Sequence, residues 1–286
     1  MNDETRPFLT LVTSPEGADR EEMAHLLAEA TGHDAATLRM RLGQAPPMIL
    51  GQFAPQAARR AVAAITRRGG DAFAPTLQQI AALGPTLKVR DLRIGGEGVE
   101  LDLWRGPSTT ITPQDIQIII RAGLSEQQTP GSGTLDSGLA GALGRTLSAS
   151  TYAVWGMGGS YGWAVHLHAR GTMREWQSQE KRIVTSHKLD FHTADGRVFQ
   201  IDGDKFGYGI LGSLRGYSDN ENIDRMCELF VHLNPEAVVD PYFRLFRPPP
   251  GYQRLRLPDM KINRDDPVFA FYSRWAALMY RHVMEE

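Results

Sequence analysis

Three groups of residues in this 286-residue chain have types and spacings that suit chemistry. Gly158-Gly-Ser-Tyr-Gly162 matches G-x-S-x-G, a pattern in which a sharp strand-to-helix turn lifts a serine above a parallel sheet. Ser160 would then be the nucleophile of a hydrolase. His166 and His168 stand two apart, so on a strand they share a face. His187 or His192 from a neighbouring strand would complete a set of imidazoles able to hold zinc or another transition metal. In the tail, Tyr242, Phe243, Phe246 and Tyr252 interleave with Arg244, Arg247, Arg254 and Arg256, a composition that stacks on bases and pairs with phosphates.

Each group also has a plainer reading. The residues after Ser160, Trp163–His168, alternate like a strand, and no β-α-β series surrounds them. The histidines fit half-exposed positions on a sheet face, with no Asp or Glu spacing to reinforce a ligand set. The tail aromatics would pack back over the protein while the arginines stay in water. Asp202-Gly-Asp204 lacks the other ligands of a calcium loop and reads as a turn. Gly156-Met-Gly158 has Tyr161 where a dinucleotide site needs its third glycine, and no Walker lysine motif occurs. Asp219, Glu221 and Asp224 crowd a helix start, where the helix dipole accounts for them. Cys227 is expected to be an inert packing residue.

No catalytic, metal or cofactor residue is therefore expected. The leading expectation is a non-enzymatic adaptor or regulatory binding protein, with a protein partner or a second copy as its target. Partner contacts are expected at Arg39, Arg244, Arg247 and Trp275. The alternatives are a hydrolase or metal enzyme built on Ser160 or on His166 and His168, and a nucleic-acid or phosphate-ligand binder working through the tail.

The elements that would position these residues begin with Phe8–Val12, a strand. Asp19 to Glu22 favour a helix start, and Met23, Leu26, Leu27 and Ala30 recur with helical period up to Gly32. Asp34 caps a second helix. Met48–Leu50 is a short strand, Pro55 opens a third helix, and Asp71–Pro75 is the closing strand after Gly69-Gly70. The order is β-α-α-β-α-β, a small α+β domain over residues 1–80.

Ala30-Thr31-Gly32, the short second helix, Ala45-Pro46 and the closing Gly69-Gly70 resemble the C-terminal domain of the ribosomal stalk protein. The resemblance covers about a quarter of the chain and implies the fold. That family docks translation factors through basic residues on its first two helices. The matching positions here are His25, Ala28, Ala36 and Arg39, so only Arg39 keeps a fixed positive charge, and the docking activity is not carried over.

Beyond residue 86 the period changes to two. Leu87–Ile94 and Val99–Trp104 read as a hairpin with a long turn, followed by strands at Thr109–Ile111 and Ile116–Ile120. Residues 124–149 are rich in Gly, Ser and Thr and read as a mobile insertion. Ile183–Thr193 and Arg197–Ile201 flank the turn Ala194-Asp-Gly196. Ser218 and Glu221 form a capping box for a helix carrying Ile223, Met226, Cys227, Phe230 and Leu233. A β-rich antiparallel domain over 86–234, closed by that helix, resembles the pleckstrin-homology or GRAM layout. Residues 235–286 form a Pro- and Arg-rich tail. It ends in a helix near 267–284 with Val268, Phe271, Tyr272, Trp275, Leu278, Met279 and His282 on one side.

Composition bounds the rest. The net charge of −2 leaves no global field to recruit nucleic acid or anionic membrane. One cysteine excludes an intrachain disulfide. No apolar run reaches a membrane span or a secretory leader, and a cytoplasmic location is expected.

Overall fold

The computed structural model describes residues 6–43, 46–96, 98–128, 182–240, 243, 246 and 267–285. Contacts divide the chain into two units, Met1–Leu124 with His187–Glu286, and Ser125–Ser186. The first unit holds nearly all of the described residues. It is an α+β structure with two sheets and a C-terminal helix.

The first 76 residues follow the expected order: β1 (Phe8–Thr13), α1 (Arg20–Thr31), α2 (Ala35–Arg41), β2 (Met48–Gln52), α3 (Pro55–Thr66) and β3 (Asp71–Phe73). Local chemistry sets the boundaries. Asp19 and Asp34 accept bonds from the Glu22 and Thr37 amides and so cap α1 and α2. Gly32 ends α1 at φ 73°, which its lack of a Cβ permits. The strands pair in the order β2-β1-β3, all antiparallel. Leu9 and Leu11 face the helices and join Met23, Leu27, Leu38 and Ile65 in one core.

A fourth helix, α4 (Leu77–Ala81), follows, held by a capping box between Thr76 and Gln79. Its five residues are too few to show a helical period in the sequence. Then come β4 (Thr86–Gly95), β5 (Gly98–Leu103), β6 (Thr109–Ile111), β7 (Ile116–Gln128), β8 (Arg182–Thr193) and β9 (Val198–Asp202). After them stand α5 (Asp219–Leu233), β10 (Val238–Asp240) and α6 (Pro267–Glu285).

The second sheet has seven strands in the order β10-β7-β8-β9-β4-β5-β6. The β4–β5, β5–β6 and β8–β9 pairs are antiparallel, while β4–β9 and β10–β7 are parallel. The β4–β5 turn is shorter than expected, because the register runs on to Gly95 opposite Gly98. Gly98 has φ 137°, and a Cβ there would overlap the Ile111 carbonyl of β6. Ser218 caps α5 through the Glu221 amide, but the Glu221 carboxylate accepts from Tyr217 N, so the expected reciprocal box is half formed.

One face of this sheet packs on α5, through Ile119, Leu189, Phe191, Phe199, Met226 and Phe230. The other packs on α6, as does the outer face of β1: Phe8, Val12, Leu77, Ile80, Ile118, Ile120 and Val198 share a core with Phe271 and Trp275. The α6 helix thus lies against both sheets. Its buried residues run almost all round, from Phe269 through Ala277 to Met279, where the sequence pattern had suggested a single stripe. A helix buried in this way is the expected solution when two faces compete for it.

Candidate functional site

The α6 side of the large sheet carries a polar strip beside its apolar core. Along β8, Leu189 and Phe191 turn toward α5, so the alternate residues Lys188, Asp190 and His192 turn toward α6. Gln200 of β9 joins them, and α6 supplies Ser273 and Arg274. These six side chains are buried, with Asp190 and Ser273 at 1% exposure and His192 at 0%. Buried polar groups must be bonded, and these are wired across the junction. His192 Nε2 lies 2.8 Å from Ser273 Oγ. Asp190 accepts from Gln200 Nε2 at 2.8 Å and has the Ser273 hydroxyl as a neighbour. Arg274 donates to the Gly84 carbonyl at 2.8 Å and Arg281 to the Thr193 carbonyl at 2.9 Å.

Serine, histidine and aspartate here have the residue types of a nucleophilic triad and a different geometry. In a triad the carboxylate holds the imidazole through Nδ1. Here His192 Nδ1 has no hydrogen-bond partner among the described residues, and Asp190 is bonded to Gln200. No solvent path reaches Ser273 at its exposure. Burial pushes the Asp190 carboxyl up to about 6, against the opposing influence of Ser273 and Gln200. Burial, with Arg281 and Arg274 nearby, holds His192 down to about 3. A neutral imidazole therefore pairs its Nε2 with the Ser273 hydroxyl. The seam fastens α6 to the sheet.

At the end of β9, Asp202-Gly-Asp204 forms the expected turn, with the Lys205 and Phe206 amides bonded to the Asp202 carbonyl. The two carboxyl groups are neighbours. Burial, with Asp204 beside it, raises the Asp202 carboxyl, and the neighbouring Asp202 lowers Asp204. Lys205 Nζ lies 2.9 Å from Asp202. Tyr208 is buried at φ 52°, with its phenol raised by burial and by Asp219, Asp202 and Asp204.

From Tyr208 the chain runs through a 3-10 turn, Gly209–Leu214, into the segment before α5. This segment is exposed and also pinned. Asn222, itself buried, accepts from Gly216 N at 2.7 Å. Glu221 accepts from Tyr217 N at 3.1 Å, and Arg225 donates to the Leu214 carbonyl. Arg225 also pairs with Glu221 at 2.7 Å. Held on this frame, Tyr217 is fully exposed and Leu214 is 63% exposed. Two apolar side chains in water on a fixed loop make a surface suited to a protein contact. This loop is not among the sites expected from the sequence. Its signal was Leu214 and Tyr217 flanking Arg-Gly beside a cap.

Of the residues singled out from the sequence, Arg39 is exposed and pairs with Glu21 at 2.9 Å. Trp275 is fully buried inside the chain, so it presents no surface to a partner. His187 is half-buried, held low by burial and by Arg121. His192 lies in the seam, and no metal-holding group occurs among the described residues. Phe243 and Phe246 pack on α6, at 5.2 Å from Phe269 and 4.6 Å from Tyr272. Cys227 is half-buried, with its thiol raised by burial. Ser160, His166, His168, Arg244 and Arg247 lie outside the described residues, as do nearly all of 124–149. No described helix is long and apolar enough to cross a membrane.

Comparison of the chain with protein-family models, with curated proteins and with solved structures finds no match.

Proposed function

We propose that this chain is a non-enzymatic binding protein, an adaptor or regulator in the cytoplasm, whose protein contact is the Leu214–Tyr217 loop. The observation that carries the reading is the pinning of that loop. Three side chains of α5 hold its backbone while Tyr217 and Leu214 stand in water. A loop fixed before binding loses little conformational entropy on association. Tyrosine is also a residue type enriched in interface hot spots. The Ser273, His192 and Asp190 constellation supports the same reading, because its hydrogen bonds are already engaged in holding α6.

The test replaces the two exposed side chains together, Leu214→Asp with Tyr217→Ala, and leaves the pinning residues intact. The variant is expected to keep its thermal midpoint and to lose a partner that the parent protein captures stoichiometrically, whether another protein or a second copy. Capture of the same partner with unchanged affinity would remove the loop from the proposal.

A further inference from the structure

The exposed side of α3 carries a second surface with different chemistry. Arg59, Arg60 and Arg67 are exposed there, and α3 itself contains no acidic residue. The other arginines of the first helices are engaged. Arg39 pairs with Glu21, Arg68 pairs with Glu22, Arg20 donates to the Arg39 carbonyl and Arg41 to the Leu50 carbonyl. By contrast, Arg59, Arg60 and Arg67 pair with no carboxylate among the described residues. Each uses Nε alone, donating to the carbonyls of Pro55 at 3.4 Å, Ala30 at 3.0 Å and Ala63 at 3.0 Å. That bond orients the guanidinium and leaves its two terminal nitrogens, on an exposed residue, for the fork that suits phosphate oxygens. Arg60 and Arg67 are two helical turns apart, about 10 Å along the axis.

We propose that this face of α3 binds the phosphate backbone of a nucleic acid through Arg59, Arg60 and Arg67. None of the exposed large hydrophobic residues lies on α3. A protein interface would need such an anchor, and insertion into a membrane surface would need an exposed apolar face. Backbone recognition by phosphate pairing needs neither. With three contacts and a chain of net charge −2, binding is weak, independent of base sequence and strongly dependent on salt.

The experiment titrates the full chain into fluorescein-labelled duplex DNA between about 50 and 200 mM salt. The expected slope of log affinity against log salt is about −0.9 per neutralised phosphate, so about −2.7 for three. The triple variant Arg59→Ala, Arg60→Ala, Arg67→Ala should keep its thermal midpoint, because alanine favours helix. It should lose at least about tenfold in affinity at the lowest salt, together with that part of the slope. Arg90→Ala, which removes a surface arginine paired with Asp102, should change neither. The proposal is overturned if the parent chain shows no salt-dependent binding, if the triple variant keeps the parent's affinity and slope, or if Arg90→Ala weakens binding equally. It is also overturned if anionic vesicles bind the parent chain and not the triple variant while DNA binds neither.

Discussion

The indole N–H of Trp275 donates to the hydroxyl of Thr10 at 2.9 Å, across 265 positions of sequence. Both residues are fully buried. The bond ties the last helix of the chain to its first strand. Phe8 and Phe271 meet edge to face at 5.3 Å on the same junction, and His282 lies 3.0 Å from Asp71. The small N-terminal sheet is therefore covered on one side by its own helices and on the other by α6.

Trp275→Ala should cost about 3–5 kcal/mol, the range for emptying an aromatic core site. Trp275→Phe keeps most of the volume and leaves the Thr10 hydroxyl without its donor, and should cost about 1–3 kcal/mol. Urea midpoints of the two variants check the order. If Trp275→Phe proved as damaging as Trp275→Ala, the bond rather than the packing would dominate.

A fragment ending at residue 80 retains the core around Leu9, Leu27 and Ile65 but uncovers Phe8 and Val12, which α6 otherwise buries. It should melt below the full chain and bind a hydrophobic dye. A fragment as stable as the whole protein would show that α6 contributes nothing to the first sheet.

Asp190 and His192 pull the pH dependence of stability in opposite directions. The folded pKa of Asp190 is raised from 3.8 to about 6, so its contribution is complete below 3.8 and is lost as pH rises through 6. The folded pKa of His192 is lowered from 6.5 to about 3, so its contribution is complete above 6.5 and is lost as pH falls through 3. Between about pH 4 and 6 the two nearly cancel. Asp190→Asn should leave stability rising with pH across that window, and His192→Gln should leave it falling, each by up to about 3 kcal/mol. Equal slopes in the two variants would refute the assignment.

The Ser218→Ala variant removes the cap of α5 and should cost about 1 kcal/mol. Glu221→Gln weakens the charge-assisted bond to Tyr217 N and frees Arg225. Amide exchange at Tyr217 should then quicken while Phe230, buried in the core, stays protected.

Much of the fold was legible because its signals are local. Asp19, Asp34 and Ser218 cap helices where their positions suggest, and Gly32 and Gly196 turn the chain where glycine is required. The missed α4 also had a local signal in Thr76 and Gln79. The polar seam had none. Ser273 and Arg274 look like the wet side of an amphipathic helix until a second sheet covers them. The bond from Ser273 to His192 joins residues 81 positions apart. Thr10 likewise is a polar position in β1, and it is buried because α6 supplies Trp275. The pinned loop escaped notice because exposure of Leu214 and Tyr217 depends on Asn222, Glu221 and Arg225 reaching back from α5.

The most direct test of the binding reading places a photo-crosslinking side chain at position 217 and, as a control, at Glu228, an exposed site farther along α5. Illumination in the native extract should give one discrete protein adduct from position 217, abolished by adding Leu214→Asp, and none from position 228. Adducts of equal yield from both positions, or none from position 217, would contradict it.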